Sequence, residues 1–212
     1  GNDMQEALRR RNELLAQVVI RGLASRNMKG YYAANVEEAV QKALELIPQG
    51  SVVTMGGSTT VRESGLVERL KAGNWTFIDR EEYPSRRPAH LKAYDADWYL
   101  ASCNAMTRDG ILVNIDGNGN RVSAISYGPH HVLFLVSLNK VCSSLETALD
   151  RAENTAAAVC AQKFDIQTPC RTTGFCSHCK APETRCCEIL ITRYARHPER
   201  IHVILVNDQL GF

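Results

Sequence analysis

The residues best suited to chemistry are four cysteines, Cys170, Cys176, Cys179 and Cys186, in the stretch PCRTTGFCSHCKAPETRCC. Their spacing is C-x5-C-x2-C-x6-C, with Cys187 standing next to the last as an alternative fourth ligand. Thiolate is the soft donor that zinc and iron–sulfur clusters require, and a C-x-x-C pair sets two sulfurs on one side of a tight turn. Pro169, Gly174 and Pro182 punctuate the segment and little in it is apolar. Such a loop holds one shape only around a metal, through disulfides or against a docking surface. Both metals use four thiolates; the compact spacing within one loop slightly favours a [4Fe–4S] cluster over zinc. His178, between Cys176 and Cys179, is placed to tune such a site from behind its ligands.

A second candidate is the turn Gly56-Gly57-Ser58-Thr59-Thr60, directly after an apolar segment. Glycine lets a backbone approach a ligand closely, and Ser58 and Thr59 add hydroxyls beside the free amides of a helix start. The turn therefore suits a small anion, phosphate or carboxylate. It is neither a Walker loop, since no lysine follows, nor a GxGxxG dinucleotide turn. The same residues serve equally well as a plain Ser58 helix cap.

The third is SCNAMTRDGILVNIDGNGNRV, where Asn104, Asn114, Asp116, Asn118 and Asn120 cluster among glycines, with Arg121 able to grip an anion bidentately. Asp116 is the weak candidate for acid–base work. An Asn-Gly hairpin satisfying its own loop accounts for the same residues. Cys103 and Cys142 read as packed strand-end residues, and Cys160 as part of a helix's apolar face. His130 and His131 are adjacent and would point apart along a strand.

These candidates hang on a framework of alternating helices and strands. Met4–Ser25 has helical spacing, Tyr31–Ala34 reads as a strand, and Asn35 with Glu38 caps the next helix in reciprocal fashion. Ser51–Met55 and Thr76–Ile78 are strands around a helix that ends at Ala72-Gly73-Asn74. Trp98–Cys103 and Val132–Val136 follow, separated by the polar stretch Asn104–Asn120. Ser143 and Glu146 offer a capping box for a helix over Leu145–Lys163, and Ile201–Val206 is the last strand. The alternation predicts an α/β fold with an open, mainly parallel sheet and flanking helices. Residues 1–212 read as a single domain, with the 1–26 helix and the 168–188 cysteine loop as appendages.

A formal net charge of +2 gives no field for nucleic acid, and Arg9–Arg11, the one sharp basic run, fans over a solvated helix. No segment has the ~20 apolar residues of a membrane span. Eight cysteines with no secretory apolar stretch at the start fit a reducing cytoplasm.

The stretch ADWYLASCNAMTRDGILVNIDGNGNRVSAISYGP, with Asn139-Lys140 after the next strand, resembles the signature of the LUD (lactate-utilisation) domain family. The likeness runs from GGSTT through the cysteine loop to IHVILVNDQLGF. It implies a fold similar to ribose-5-phosphate isomerase, glucosamine-phosphate deaminase and CoA transferases. In those proteins a glycine–serine–threonine turn holds phosphate or sugar, and Ser58 and Thr59 are the matching positions here. It also implies oxidation of lactate in company with iron–sulfur or redox partner proteins, in a stand-alone branch with a C-terminal cysteine motif. Two departures stand out. Thr184 occupies the place of an expected arginine, which leaves Cys186 or Cys187 as fourth ligand. The helix ENTAAAVCAQ also lacks a Pro-Leu-Asn pattern. The leading expectation is an accessory or subunit protein of organic-acid oxidation. The alternative is an independent enzyme for a phosphorylated or CoA-linked small molecule.

Overall fold

Apolar runs without polar alternation pull this chain into a sheet covered on both faces, as parallel strands require. The computed structural model describes residues 2–212. In chain order its first half comprises α1 (Asn2–Ser25), β1 (Lys29–Ala33), α2 (Val36–Leu46), β2 (Val52–Met55), α3 (Thr59–Ser64), α4 (Leu66–Ala72) and β3 (Thr76–Ile78). A 3-10 turn (Arg80–Glu82) leads to α5 (Arg86–Ala93), β4 (Trp98–Ala101), β5 (Ala105–Thr107), β6 (Leu112–Asp116), α6 (Asn120–Ser126) and β7 (His131–Ser137). After β8 (Val141–Cys142) come α7 (Leu145–Arg151), a π-helical turn (Ala152–Ala157), α8 (Ala158–Lys163), α9 (Pro169–Thr173), β9 (Glu188–Thr192) and β10 (Ile201–Val206).

The larger sheet has the order β1-β10-β7-β4-β2-β3, and every pairing in it is parallel. Successive residues of β7 serve opposite faces, as strand geometry dictates. Val132, Phe134 and Val136 pack with Ala16, Val19 and Leu23 of α1 and with Ala124 and Ile125 of α6. Leu133 and Leu135 pack on the other face with Ala39, Val40 and Ala43 of α2, Val61 of α3 and Leu66 and Leu70 of α4. The predicted α/β class and mainly parallel sheet are thus present.

A second sheet, β8-β5-β6-β9, was not anticipated. Its β5/β6 and β6/β9 pairings are antiparallel, and Ala105, Val113 and Ile115 pack with Ala148 of α7 and Ala152 of the π-helical turn. The stretch Asn104–Asn120 therefore holds two strands and leads straight into α6. Its polar residues look loop-like in sequence, yet several are strand residues with internal partners. Asn114 is buried and donates to Ser102 O at 2.8 Å. β9 escapes notice because it lies on the rim, with Ile189 and Ile191 exposed.

Local signals fare unevenly. Asn35 Oδ1 accepts from Glu38 N at 2.9 Å as expected, while Glu38 reaches back to Ala34 N, one residue beyond the cap. The capping box of the long helix is Ser144 with Thr147, one residue later than Ser143 with Glu146. The helix after Ser58 is interrupted at Gly65, whose φ of +83° ends α3 and starts α4.

Candidate functional site

Ser58, Ser102 and Lys140 all lie just past the carboxyl ends of parallel strands, β2, β4 and β7 respectively. That is the edge where open α/β sheets bind ligands. Here it opens into a cleft of about 1200 Å3. The same cleft is lined by the Gly57–Thr60 turn, by Asn104, Asp116, Asn118, Asn120 and Arg121, and by Cys170, Cys176, Cys179, Cys186 and Cys187. All three stretches singled out in the sequence thus meet in one cavity.

The turn is built around small residues for steric reasons. A side chain at Gly56 would run into Tyr99 Oη and Arg121 Cγ. One at Gly57 would begin 3.0 Å from Arg80 Nη2, so its absence lets the guanidinium lie over the backbone. Ser58 Oγ accepts from Val61 N at 3.2 Å, capping α3 and leaving its own proton for a ligand. Arg80 carries a buried Nε with no hydrogen-bond partner. Burial first, then the like charge of Arg86, lowers its pKa from the ordinary value. Beneath it Asp79 pairs with Arg62 at 3.1 Å and Lys71 at 2.7 Å. Burial alone would raise the Asp79 carboxyl; those cations and the Glu81 amide overcome it and hold the group well below the usual carboxylate range.

Asp116 has a positional task. Its Oδ1 accepts from Gly117 N at 3.0 Å and its Oδ2 from Arg121 N at 2.8 Å and Val122 N at 3.2 Å, fastening the start of α6. Arg121 spends its guanidinium on main-chain oxygens, Gly57 O at 3.3 Å and Ile115 O. It braces the glycine turn against the end of β6. Asn104 Oδ1 accepts from Ile115 N at 2.8 Å, closing the hairpin, and Asn120 Nδ2 lies 3.4 Å from His90 Nε2.

Lys140 is the largest omission of the sequence reading as a site residue. It is buried, and its Nζ donates to Thr60 Oγ1, Ser102 Oγ and Cys103 O, each at 3.1 Å. Burial pulls its pKa down to about 8. Asn139-Lys140 belongs to the family signature, but nothing in the sequence gives the lysine its partners or a place in the cleft.

The cysteine loop borders the opposite side. All eight cysteines are free thiols. Cys176 N donates to Asn154 Oδ1 at 2.8 Å, and its Sγ lies 3.7 Å from Glu153 Oε2. His178, at φ +52°, brings Nδ1 to 3.1 Å from the same carboxylate. Among the described residues, these three are the ones whose potential ligand atoms all lie within 4.8 Å of one another. Four thiolates around one zinc ion would stand about 3.8 Å apart, given tetrahedral bonds of about 2.3 Å. Among the described residues no three of the cysteine sulfurs lie within 4.8 Å of one another. Burial and then the like charges of Cys176, Cys170, Cys179 and Cys160 push the Cys186 thiol up to about 11. By area Cys186 is exposed, so the crowding of thiols is the weightier cause. Cys187 instead directs its Sγ to Thr184 O at 3.6 Å.

Cys160 was read as a core residue; it is half-buried and lines the cleft. The π turn at Ala152–Ala157 shifts the helical phase, so a regular 3.6-residue projection misassigns the residues after it.

A family model described as the LUD domain matches residues 16–206. Among solved structures, a DUF162 family protein from Deinococcus radiodurans is 14% identical, with 92% of this chain and 98% of that one covered at a TM-score of 0.55. At that identity the likeness speaks for a shared fold. The eIF2B delta protein from Chaetomium thermophilum is 16% identical over 56% of this chain and 54% of its own, with a TM-score of 0.36. That is too low to carry an argument. No curated protein matches the chain. The family match takes in every strand of both sheets, and the chain belongs to the LUD domain family, which is associated with lactate utilisation.

Proposed function

We propose that this protein is an accessory or subunit protein of organic-acid oxidation, with lactate as the leading acid, and that its cleft sets an anion-binding turn beside a cysteine-held metal site. The observation that carries this reading is the shared cavity: Ser58, Thr59 and Arg80 on one wall, Cys170, Cys176, Cys179 and Cys186 on the other. Arg80 has a buried Nε that makes no hydrogen bond, 3.6 Å from Glu81 Oε1, and lays its Nη2 over Gly57. The four cysteines would hold the metal, with Cys186 rather than Cys187 as the fourth ligand. Glu153 and Asn154 fix Cys176 from behind, and Gln162 Nε2 anchors the loop start by donating to Arg171 O at 2.7 Å. When bound, an iron–sulfur cluster supplies one-electron transfer, whereas zinc supplies a structural clasp. Passing electrons onward calls for redox partner proteins.

The test is iron, zinc and acid-labile sulfide content of anaerobically purified protein, read with its visible spectrum, in wild type and Cys176→Ser. Iron with sulfide, lost in the variant, supports the reading. Stoichiometric zinc without sulfide removes the electron-transfer role.

A second reading, an independent enzyme for a phosphorylated or CoA-linked small molecule, draws on the cationic wall of Arg62, Arg80, Arg86 and Arg121. A sugar phosphate or CoA ester at about 100 times its dissociation constant would then stabilise the fold by about 2.7 kcal/mol. A screen without any melting shift rejects it.

A further inference from the structure

Lys140 is 2% exposed at the floor of the cleft. Its three hydrogen bonds, to Thr60 Oγ1, Ser102 Oγ and Cys103 O, use every N–H an ammonium has. None of these partners is a carboxylate, and a buried cation without a counter-ion is costly. The charged groups that bear on it include Glu63 but also Arg121 and Arg151, so like charge surrounds it as much as opposite charge.

The two hydroxyls are the informative part. Thr60 and Ser102 each accept from Lys140 and keep their own protons, for which no acceptor exists among the described residues. Both line the cleft. A cation behind a hydroxyl polarises the O–H and directs it forward, the arrangement that receives a negatively charged oxygen.

We propose that Lys140, Thr60 and Ser102 form a seat for the carboxylate of a small organic acid, the hydroxyls donating to its oxygens and the ammonium supplying counter-charge from behind. This rests on the reading of the cleft as an organic-acid site and assigns that acid's charged end. The niche is nearly closed, with Thr60 3% and Ser102 5% exposed. A planar two-oxygen group enters such a space more easily than a tetrahedral phosphate, which finds room beside Gly57 and Arg80.

The experiment is calorimetric titration of the full chain with oxalate, pyruvate and inorganic phosphate. It compares wild type with Ser102→Ala, Thr60→Val, Lys140→Met and Arg80→Ala. Oxalate and pyruvate are expected to bind wild type and to weaken about tenfold or more in Ser102→Ala and in Thr60→Val, each of which removes one hydrogen bond to a charged group. Phosphate is expected to weaken in Arg80→Ala and to be indifferent to Ser102→Ala. Carboxylate binding of wild-type strength in both hydroxyl variants overturns the proposal, and so does phosphate binding without any carboxylate binding. If no anion binds wild type, the organic-acid reading of the cleft falls with it. Ser102→Ala and Thr60→Val keep Lys140 in place, so the outcome stands even if Lys140→Met fails to fold.

Discussion

The parallel sheet and the cysteine loop both present residues to one cleft, and they hold their shape by opposite means. β10 is buried along its whole length, and β7 is buried at every position after His131. In the loop from Thr168 to Cys187, by contrast, no residue is buried. It is tethered by a few polar contacts, among them Gln162 to Arg171 O, Cys176 N to Asn154 and Cys187 N to Asp116 O. The sheet derives its rigidity from burial of its own side chains. The loop has only its thiols to draw on, so its order depends on what those thiols bind. Rigid parts of a protein can carry function without help, whereas a part without a core carries function only with a guest.

The strongest way to sharpen this contrast is to damage the sheet. Phe134→Ala removes a fully buried ring from β7 and should cost about 4 kcal/mol of global stability, visible in denaturant unfolding. A loss under about 1 kcal/mol would show that the sheet is not the stabilising unit.

The next tests concern the floor between the two regions. Burial lowers the folded pKa of Lys140 to about 8, against about 10.4 in the unfolded chain. Between those values the unfolded chain binds a proton that the folded one lacks, so rising pH favours folding. The stability difference between wild type and Lys140→Met should therefore move in favour of wild type by up to about 3 kcal/mol from pH 8 to about 10.5. Arg121, Arg151 and Glu63 face the same amine, as does Cys103, whose thiol burial holds up to about 11. A flat difference would place the amine in contact with water.

Asp79→Asn should cost about 2 kcal/mol at neutral pH, because the carboxylate is buried while its partners Arg62 and Lys71 are partly exposed. Its folded pKa is depressed, so this contribution is present above about pH 4 and fades as acid protonates the group. Urea midpoints of the two proteins should converge at low pH. The smallest global effect belongs to the loop: Cys176→Ser should change overall unfolding by no more than about 0.5 kcal/mol. Limited proteolysis should nonetheless cut the variant sooner between Thr168 and Cys187. A global loss comparable to Phe134→Ala would erase the distinction.

The sequence made the sheet legible because β2, β4, β7 and β10 are short unbroken apolar runs between helical patterns. Both turn chemistry and cysteine spacing also located real walls of the cleft. The second sheet stayed hidden because Asn104 and Asn114 satisfy each other's neighbourhood across the chain, Asn104 through Ile115 N and Asn114 through Ser102 O. Polarity in sequence marks a loop only when the polar groups turn outward. Lys140 was invisible as a site residue for a related reason: its three partners come from segments 37 to 80 residues away. Arg80 was likewise missed, since nothing in a charged turn announces that glycine has cleared a place for it.

The π-helical turn gives the cleft an unusual dependence on arithmetic. One surplus residue between Ala152 and Ala157 sets the angular phase of everything after it, including Cys160 and the Gln162 that ties down the cysteine loop. Removing a single residue there would restore regular winding and leave Cys160 and Gln162 facing as they do now. A residue added there would instead turn both by about 100°, with no ligand mutated and no core side chain lost, and the tether would point away from the loop. In this protein the insertion of one alanine, far gentler in composition than any cysteine substitution, would dismantle the site by miscounting.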